Sequence, residues 1–207
     1  MPSVLIDEIK PLKGHLTGLY SQGELIVSLS SEFAAEKGLK AGAEYPVELL
    51  REWLCESQLR RAKSKALYLL EFRDYSSRDM AARLRRDFDG QSAEAAVDYL
   101  VEIGAVDDSR YAENMIRHLI QQKRYGRRRI LRELAAKGID GCTAEEALDS
   151  FGLDEPSAIM ELLQSRFSSD LTDEKGVRRT IASLQRYGYQ SSDIFHALRE
   201  YKDKTED

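Results

Sequence analysis

Arginine is the chemistry-bearing residue that this sequence concentrates. Lys123, Arg124, Arg127, Arg128, Arg129 and Arg132 crowd into the segment QQKRYGRRRILREL. A guanidinium is always charged and presents a planar fork of donors that fits carboxylate or phosphate. Ile130, Leu131 and Leu134 form an apolar stripe at helical spacing, so the arginines are expected to project outward. Arg128 and Arg132 stand four apart on one face, and Arg129 is set to pair with Glu133. Gly126, at the turn before them, leaves the backbone open to an approaching phosphate or carboxylate. A second cluster holds Arg78, Arg83, Arg85 and Arg86, and a third holds Arg178 and Arg179. A solvated helix face also collects such charges. Recurrence of arginine at one repeat position points instead to a row of binding side chains.

Catalytic chemistry has no comparable signal. His15, His118 and His196 are scattered, with no HExxH motif. The chain has no GxSxG, GxxxxGK[ST] or GxGxxG segment. Asp107-Asp108 could be read as a metal-ligand pair, but a helix start explains it better, with Asp108 as the N-cap candidate. Cys55 and Cys142 lie far apart without a CxxC partner, which speaks against a zinc site or a disulfide framework. Cys142 is expected to be a buried packing residue. No catalytic residue, cofactor or metal is expected, and the protein reads as a binding protein.

The elements that must position the arginines are mostly helices. Residues 1–45 are the exception. His15–Tyr20 and Glu24–Leu29 are two β-compatible runs separated by Ser21-Gln22-Gly23, which reads as a hairpin. In the second run Leu25, Val27 and Leu29 alternate, with Ile26 out of phase. Ser30-Ser31 then caps a short helix that stops at Gly38. From Pro46 onward no strand is expected. Ser76 with Asp79, and Thr143 with Glu146, read as capping boxes.

The helical part repeats. Leu84, Leu134 and Leu184 are evenly spaced at 50 residues, and so are Arg78, Arg128 and Arg178. Leu69 with Leu119, Tyr75 with Tyr125, and Gly138 with Gly188 keep the same offset. SAEAAVDYL from Ser92 matches TAEEALDSF from Thr143, and Ala147-Leu148 recurs as Ala197-Leu198. The fold class expected is mainly α: three tandem three-helix repeats, helix-turn-helix-like, in an elongated array behind a small α+β module. The boundaries expected are 1–45 for the hairpin module, 46–104 for a linker helix and repeat 1, 105–152 for repeat 2 and 153–207 for repeat 3. The third copy needs an insertion around Ser168 to Thr172.

Composition narrows the class of partner. The net charge is −5, with the acidic excess in the first fifty and the last fifty or so residues and a middle close to neutral. A dedicated duplex-DNA binder is usually basic overall. No apolar stretch approaches the roughly 18 residues of a membrane span, and MPSVLIDEIKPLKG lacks the pattern of a secretory signal. A cytoplasmic monomer with no membrane association is expected.

The chain resembles the RecX family of bacterial RecA regulators. The resemblance is carried by ALYLLEFRDYSSRDMAARL (66–84), VDYLVEIGAVDDSRYAENMI (97–116) and YGRRRILRELAAKGI (125–139). It implies a tandem three-helix architecture without catalytic activity. It also implies binding to the RecA filament on DNA, with restraint of its ATP hydrolysis and strand exchange in recombination, DNA repair and the SOS response. Two departures stand out. Phe88 occupies a position where the family usually has a lysine-glycine turn, and the acidic net charge implies only weak DNA binding. Direct binding of DNA or RNA by the helix-turn-helix-like units is the alternative.

Overall fold

The computed structural model describes residues 2–206. They pack as two compact units, one ending at Val106 and the other beginning at Asp107.

The first unit opens with strands β1 (Ser3–Ile6), β2 (Glu8–Leu12), β3 (Leu16–Ser21) and β4 (Glu24–Ser30). Strands β2, β3 and β4 form an antiparallel sheet, and β1 pairs with β5 (Ala43–Pro46) in a second, two-stranded sheet. The β3–β4 hairpin turns at Gln22 (φ 51°) and Gly23 (φ 81°), the left-handed pair that a two-residue turn requires. Leu19 faces Val27 but Tyr20 faces Leu25, so Ile26 is left over as a bulge. That bulge breaks the expected alternation: Val27 and Leu29 are buried while Leu25 is half exposed. Helix α1 (Ser31–Glu36) starts where the Ser30 hydroxyl accepts the Phe33 N–H, and Gly38 ends it at φ 62°. Ile6, Leu19, Val27, Leu29 and Phe33 form a core against Leu50 of the long helix α2 (Val47–Leu70). The buried Ser57 hydroxyl accepts the Ser30 N–H at 2.8 Å, tying α2 to β4.

Helix α2 then joins α3 (Ser77–Leu84) and α4 (Gly90–Glu102) around Ala66, Met80, Leu84, Ala96 and Leu100. The second unit contains two further three-helix groups. The first is α5 (Asp108–Gln121), α6 (Arg127–Ala136) and α7 (Gly141–Ser150), closed over Ile116, Ile130, Leu134 and Leu148. The second is α8 (Glu155–Ser165), α9 (Glu174–Tyr187) and α10 (Ser191–Glu206), closed over Ile159, Leu163, Leu184 and Ile194. A short 3-10 segment, Ser168–Thr172, fills the expected insertion.

The fifty-residue register has a physical basis. Leu84, Leu134 and Leu184 are all fully buried, and so are Met80, Ile130 and Thr180 four residues earlier. Thr180 is the misfit, because its hydroxyl is buried without a hydrogen-bond partner among the described residues, where the other copies have apolar side chains.

Three local expectations are corrected. The cap of α5 is Asp107, whose carboxylate accepts the Arg110 N–H at 3.0 Å, and Asp108 is the first helical residue. The cap of α7 is Asp140, which accepts the Thr143 N–H at 3.0 Å, so Thr143 already lies inside the helix. In both places the carboxylate three residues ahead of a free N–H wins the cap, as its charge also suits the positive helix end. Cys142 is exposed, like Cys55, because it sits in the first turn of α7 on the face away from Ala144 and Leu148.

Candidate functional site

The densest basic cluster lies where α6 begins, and the backbone there is fixed by the following repeat. Gly126, the N-cap, is extended at φ −81°, ψ 167° and buried. Its N–H donates to the Tyr187 carbonyl at 2.9 Å. The neighbouring Arg127 N–H donates to Glu155 Oε1 at 2.7 Å. The Tyr189 hydroxyl donates to the Arg124 carbonyl at 2.8 Å, and Arg124 itself is held at φ 53°. A Cβ on Gly126 would meet Glu155 Oε1 and Tyr189 Cδ1 at 2.7 Å, so the residue is glycine because another part of the chain occupies the space.

Electrostatics follow from this packing. Burial pushes the Glu155 carboxyl above its ordinary value, and the Asp193 charge adds to the rise. The Arg127 N–H and the Arg127 and Arg128 charges pull the other way. Burial also pushes the Tyr189 phenol far up, so it remains a hydrogen-bond donor throughout the neutral and mildly alkaline range.

The six cations divide into two groups. Arg127 is bound to Asp149 at 2.6 Å, Arg129 to Glu133 at 2.6 Å, and Arg124 to Glu161 at 3.1 Å. Arg129 also lies 5.0 Å from the centre of the Tyr125 ring. These three are structural ties: Arg129 pairs with Glu133 as their spacing led one to expect, and Arg127 does not project freely as the apolar stripe suggested. Lys123, Arg128 and Arg132 are exposed and have no carboxylate partner among the described residues. Arg128 reaches Gln190 Oε1 at 3.4 Å. Arg128, Arg129 and Arg132 line a hollow of about 270 Å³ with Gln185, Tyr189 and Ser191. Such a hollow presents guanidinium groups and the start of α10 to a carboxylate or a phosphate.

The remaining sequence-marked arginines are placed as follows. Arg78 is exposed near the start of α3, Arg83 is half-buried, and Arg86 is exposed past the helix end. Arg85 is bound to Glu94 at 2.7 Å. Arg178 is bound to Glu174 at 2.5 Å, and Arg179 is 3.7 Å from Asp170. Arg78, Arg128 and Arg178 are all exposed, two residues after the buried positions 76, 126 and 176. In the third copy the helix starts earlier, capped by Asp173, so Arg178 is further from the helix end than its two counterparts. Sequence reasoning missed Glu155, Tyr189 and Asp149, whose roles come from contacts 22 to 65 residues distant. Among the described residues no group of three or more His, Cys, Asp or Glu side chains could hold a metal ion. No helix is long and apolar enough to cross a membrane among those residues.

Residues 62–100 match the family description "RecX, first three-helix domain", and residues 107–148 match "RecX, second three-helix domain". The regulatory protein RecX of Stenotrophomonas maltophilia is 32% identical over 137 residues, covering 65% of this chain and 83% of that protein. The chain belongs to the RecX family of regulatory proteins. The RecX of Clostridium acetobutylicum is 27% identical over 201 residues and 93% of each chain is covered, so the likeness to that relative extends through the hairpin module. A crystal structure of a regulatory protein RecX superposes with a TM-score of 0.66 at 19% identity, over 94% of this chain and 98% of that one. The crystal structure of RecX from Lactobacillus salivarius gives 0.62 at 21% identity, over 69% and 96%. These two likenesses concern the fold. The matched segment 107–148 contains every cation of the α6 cluster.

Proposed function

We propose that this RecX-family chain is a non-enzymatic regulator that binds the RecA filament on DNA and restrains its ATP hydrolysis and strand exchange. The reading is supported above all by Lys123, Arg128 and Arg132, three exposed cations without carboxylate partners among the described residues, displayed on a backbone that a neighbouring repeat fixes at Gly126 and Arg127. Pre-set side chains lose less freedom on binding, which suits recognition of carboxylates or phosphates on a large assembly. The modules 46–104, 105–152 and 153–207 act as successive contact units of one monomer. No cofactor is involved, and the cytoplasm is the compartment in which the filament is met.

Direct nucleic-acid binding by the three-helix units is the second reading, and the same cations support it. Their number weighs against it as the main activity. Six free cations on duplex DNA would give a salt slope near −5.4, whereas three give about −2.7. The net charge of −5 opposes it further.

The test is the double variant Arg128→Ala/Arg132→Ala. Filament association should weaken by about 1–3 kcal/mol, the scale for losing charge-assisted contacts at an interface. The circular dichroism spectrum should be unchanged, since both side chains are exposed. Wild-type affinity in the double variant would show that this face is not the contact.

A further inference from the structure

A broad hollow opens in the first unit, and none of the arginines singled out by the sequence is among its lining residues. Its volume is about 680 Å³. The β2–β3 turn at Gly14 and His15, the start of α1 and the middle of α2 form its walls, with Phe88 at one side. Arg60, Arg61, Lys63 and Lys65 all line it, and Glu32 is the one carboxylate among its lining residues.

These cations are not equivalent. Arg60 is committed to Glu36 at 2.5 Å and Glu56 at 2.6 Å. Arg61, Lys63 and Lys65 are each half-buried and have no carboxylate partner among the described residues. Partial burial of a cation without a counter-ion is unfavourable unless something offsets it. Aromatic faces do so in part: Arg61 lies 5.4 Å from the centre of the Phe88 ring, Lys63 lies 3.7 Å from Tyr99, and Lys65 lies 5.5 Å from Tyr68. The three charges are thereby held in place around an open concavity. Phe88 stands one repeat length before Gly138 and two before Gly188. The equivalent Gly138 and Gly188 are left-handed helix ends (φ 80° and 98°), whereas at Phe88 the chain instead returns its N–H to the Leu84 carbonyl.

We propose that this hollow binds the phosphodiester backbone of a single-stranded nucleic acid, with Arg61, Lys63 and Lys65 as the phosphate contacts. A duplex presents its phosphates on a convex surface too wide to enter a concavity of this size, whereas a single strand can follow a basic groove. An acidic peptide fits less well. Arg60, the fork best suited to carboxylate, is already occupied twice, and two of the three unpaired groups are lysines, which act as point charges. This site is independent of the filament reading and lies outside the helix-turn-helix-like cations of the second unit.

The experiment compares full-length wild type with Arg61→Gln/Lys63→Gln/Lys65→Gln by fluorescence anisotropy of labelled oligo-dT. Salt is varied from 25 to 100 mM, and a labelled poly-glutamate peptide serves as the competing probe. Each phosphate contact on a single strand contributes a slope of about −0.7, so the variant's plot should be less steep by about 2. The advantage of wild type over variant should therefore shrink roughly eighteenfold across that salt range. RecA filament association of the triple variant should fall by less than that of Arg128→Ala/Arg132→Ala, which separates failure here from failure of the filament reading. Equal slopes for the two proteins would overturn the proposal. Poly-glutamate held as tightly as oligo-dT would overturn it in favour of an acidic protein segment. If the triple variant melts early by circular dichroism, Lys65→Gln alone should flatten the slope by about 0.7, and an unchanged slope overturns the proposal equally.

Discussion

Replacing Gly126 by alanine should damage the second unit far more than a single methyl group suggests. The residue's φ and ψ are open to any amino acid, so backbone strain contributes nothing. The cost is steric. The new Cβ would stand 2.7 Å from both Glu155 Oε1 and Tyr189 Cδ1, and 3.0 Å from the Gly188 carbonyl carbon. Overpacking of this kind costs about 1–3 kcal/mol. Relief requires the loops before α8 and α10 to withdraw, which weakens the Gly126–Tyr187, Arg127–Glu155 and Tyr189–Arg124 hydrogen bonds at about 1 kcal/mol each. The protein relaxes along the cheaper combination, so a net loss of about 2–4 kcal/mol is expected. In a unit of roughly 100 residues each kcal/mol lowers the melting temperature by about 4 °C or more, giving a fall of order 10 °C. The control is Gly141→Ala, at a helix start where nothing lies within 4 Å of the added Cβ. It should be neutral or raise stability by up to about 1 kcal/mol. Thermal unfolding followed by circular dichroism measures both. If Gly126→Ala melts with Gly141→Ala, the close approach of the two repeats carries no energy and the fixed frame of the α6 cluster is wrong.

Three further outcomes follow from single groups. Thr180→Val removes a buried hydroxyl without a partner while keeping the side-chain shape, and should stabilise by about 1 kcal/mol in a denaturant titration; destabilisation would mean that the hydroxyl is satisfied. Asp107→Ala should cost about 0.5–2 kcal/mol as a lost cap of α5, and a variant melting like wild type would remove Asp107 from that role. Glu155 has a raised pKa in the folded state, so the stability linked to its protonated form is fully present below about 4.5 and is lost as pH rises through the raised value. Glu155→Gln keeps the acceptor for the Arg127 N–H, so its stability relative to wild type should improve from pH 4 to pH 7; parallel profiles would show that the carboxyl is not desolvated.

The repeats are legible because their core is periodic. Leu84, Leu134 and Leu184 fill one buried position in three copies, and any reader of the spacing meets the same constraint the fold does. The hairpin is legible because Gln22-Gly23 can adopt left-handed backbone. Strand β5 escaped, since Ala43–Pro46 is too short for alternation and is defined by its distant partner β1. The sequence marks Lys123 through Arg132 as one basic cluster but not its division. Arg127 meets Asp149 and Arg124 meets Glu161 only because the chain folds back, which no local pattern reports. The hollow at Arg61, Lys63 and Lys65 was hidden for the same reason: its walls are drawn from residues 14 to 88.

The proposed target is the filament and not bare DNA. This is tested most directly by measuring the affinity of the full chain for RecA–DNA filaments and for the same DNA alone, across 50 to 200 mM salt. Filament contacts shielded from ions should persist at 150 mM, with the effect on RecA's DNA-dependent ATP hydrolysis retained. Bare-DNA binding through a few phosphate contacts should fall steeply and become too weak to measure at that salt. Bare DNA held as tightly as the filament at 150 mM would show that nucleic acid, and not the filament, is what the protein recognises.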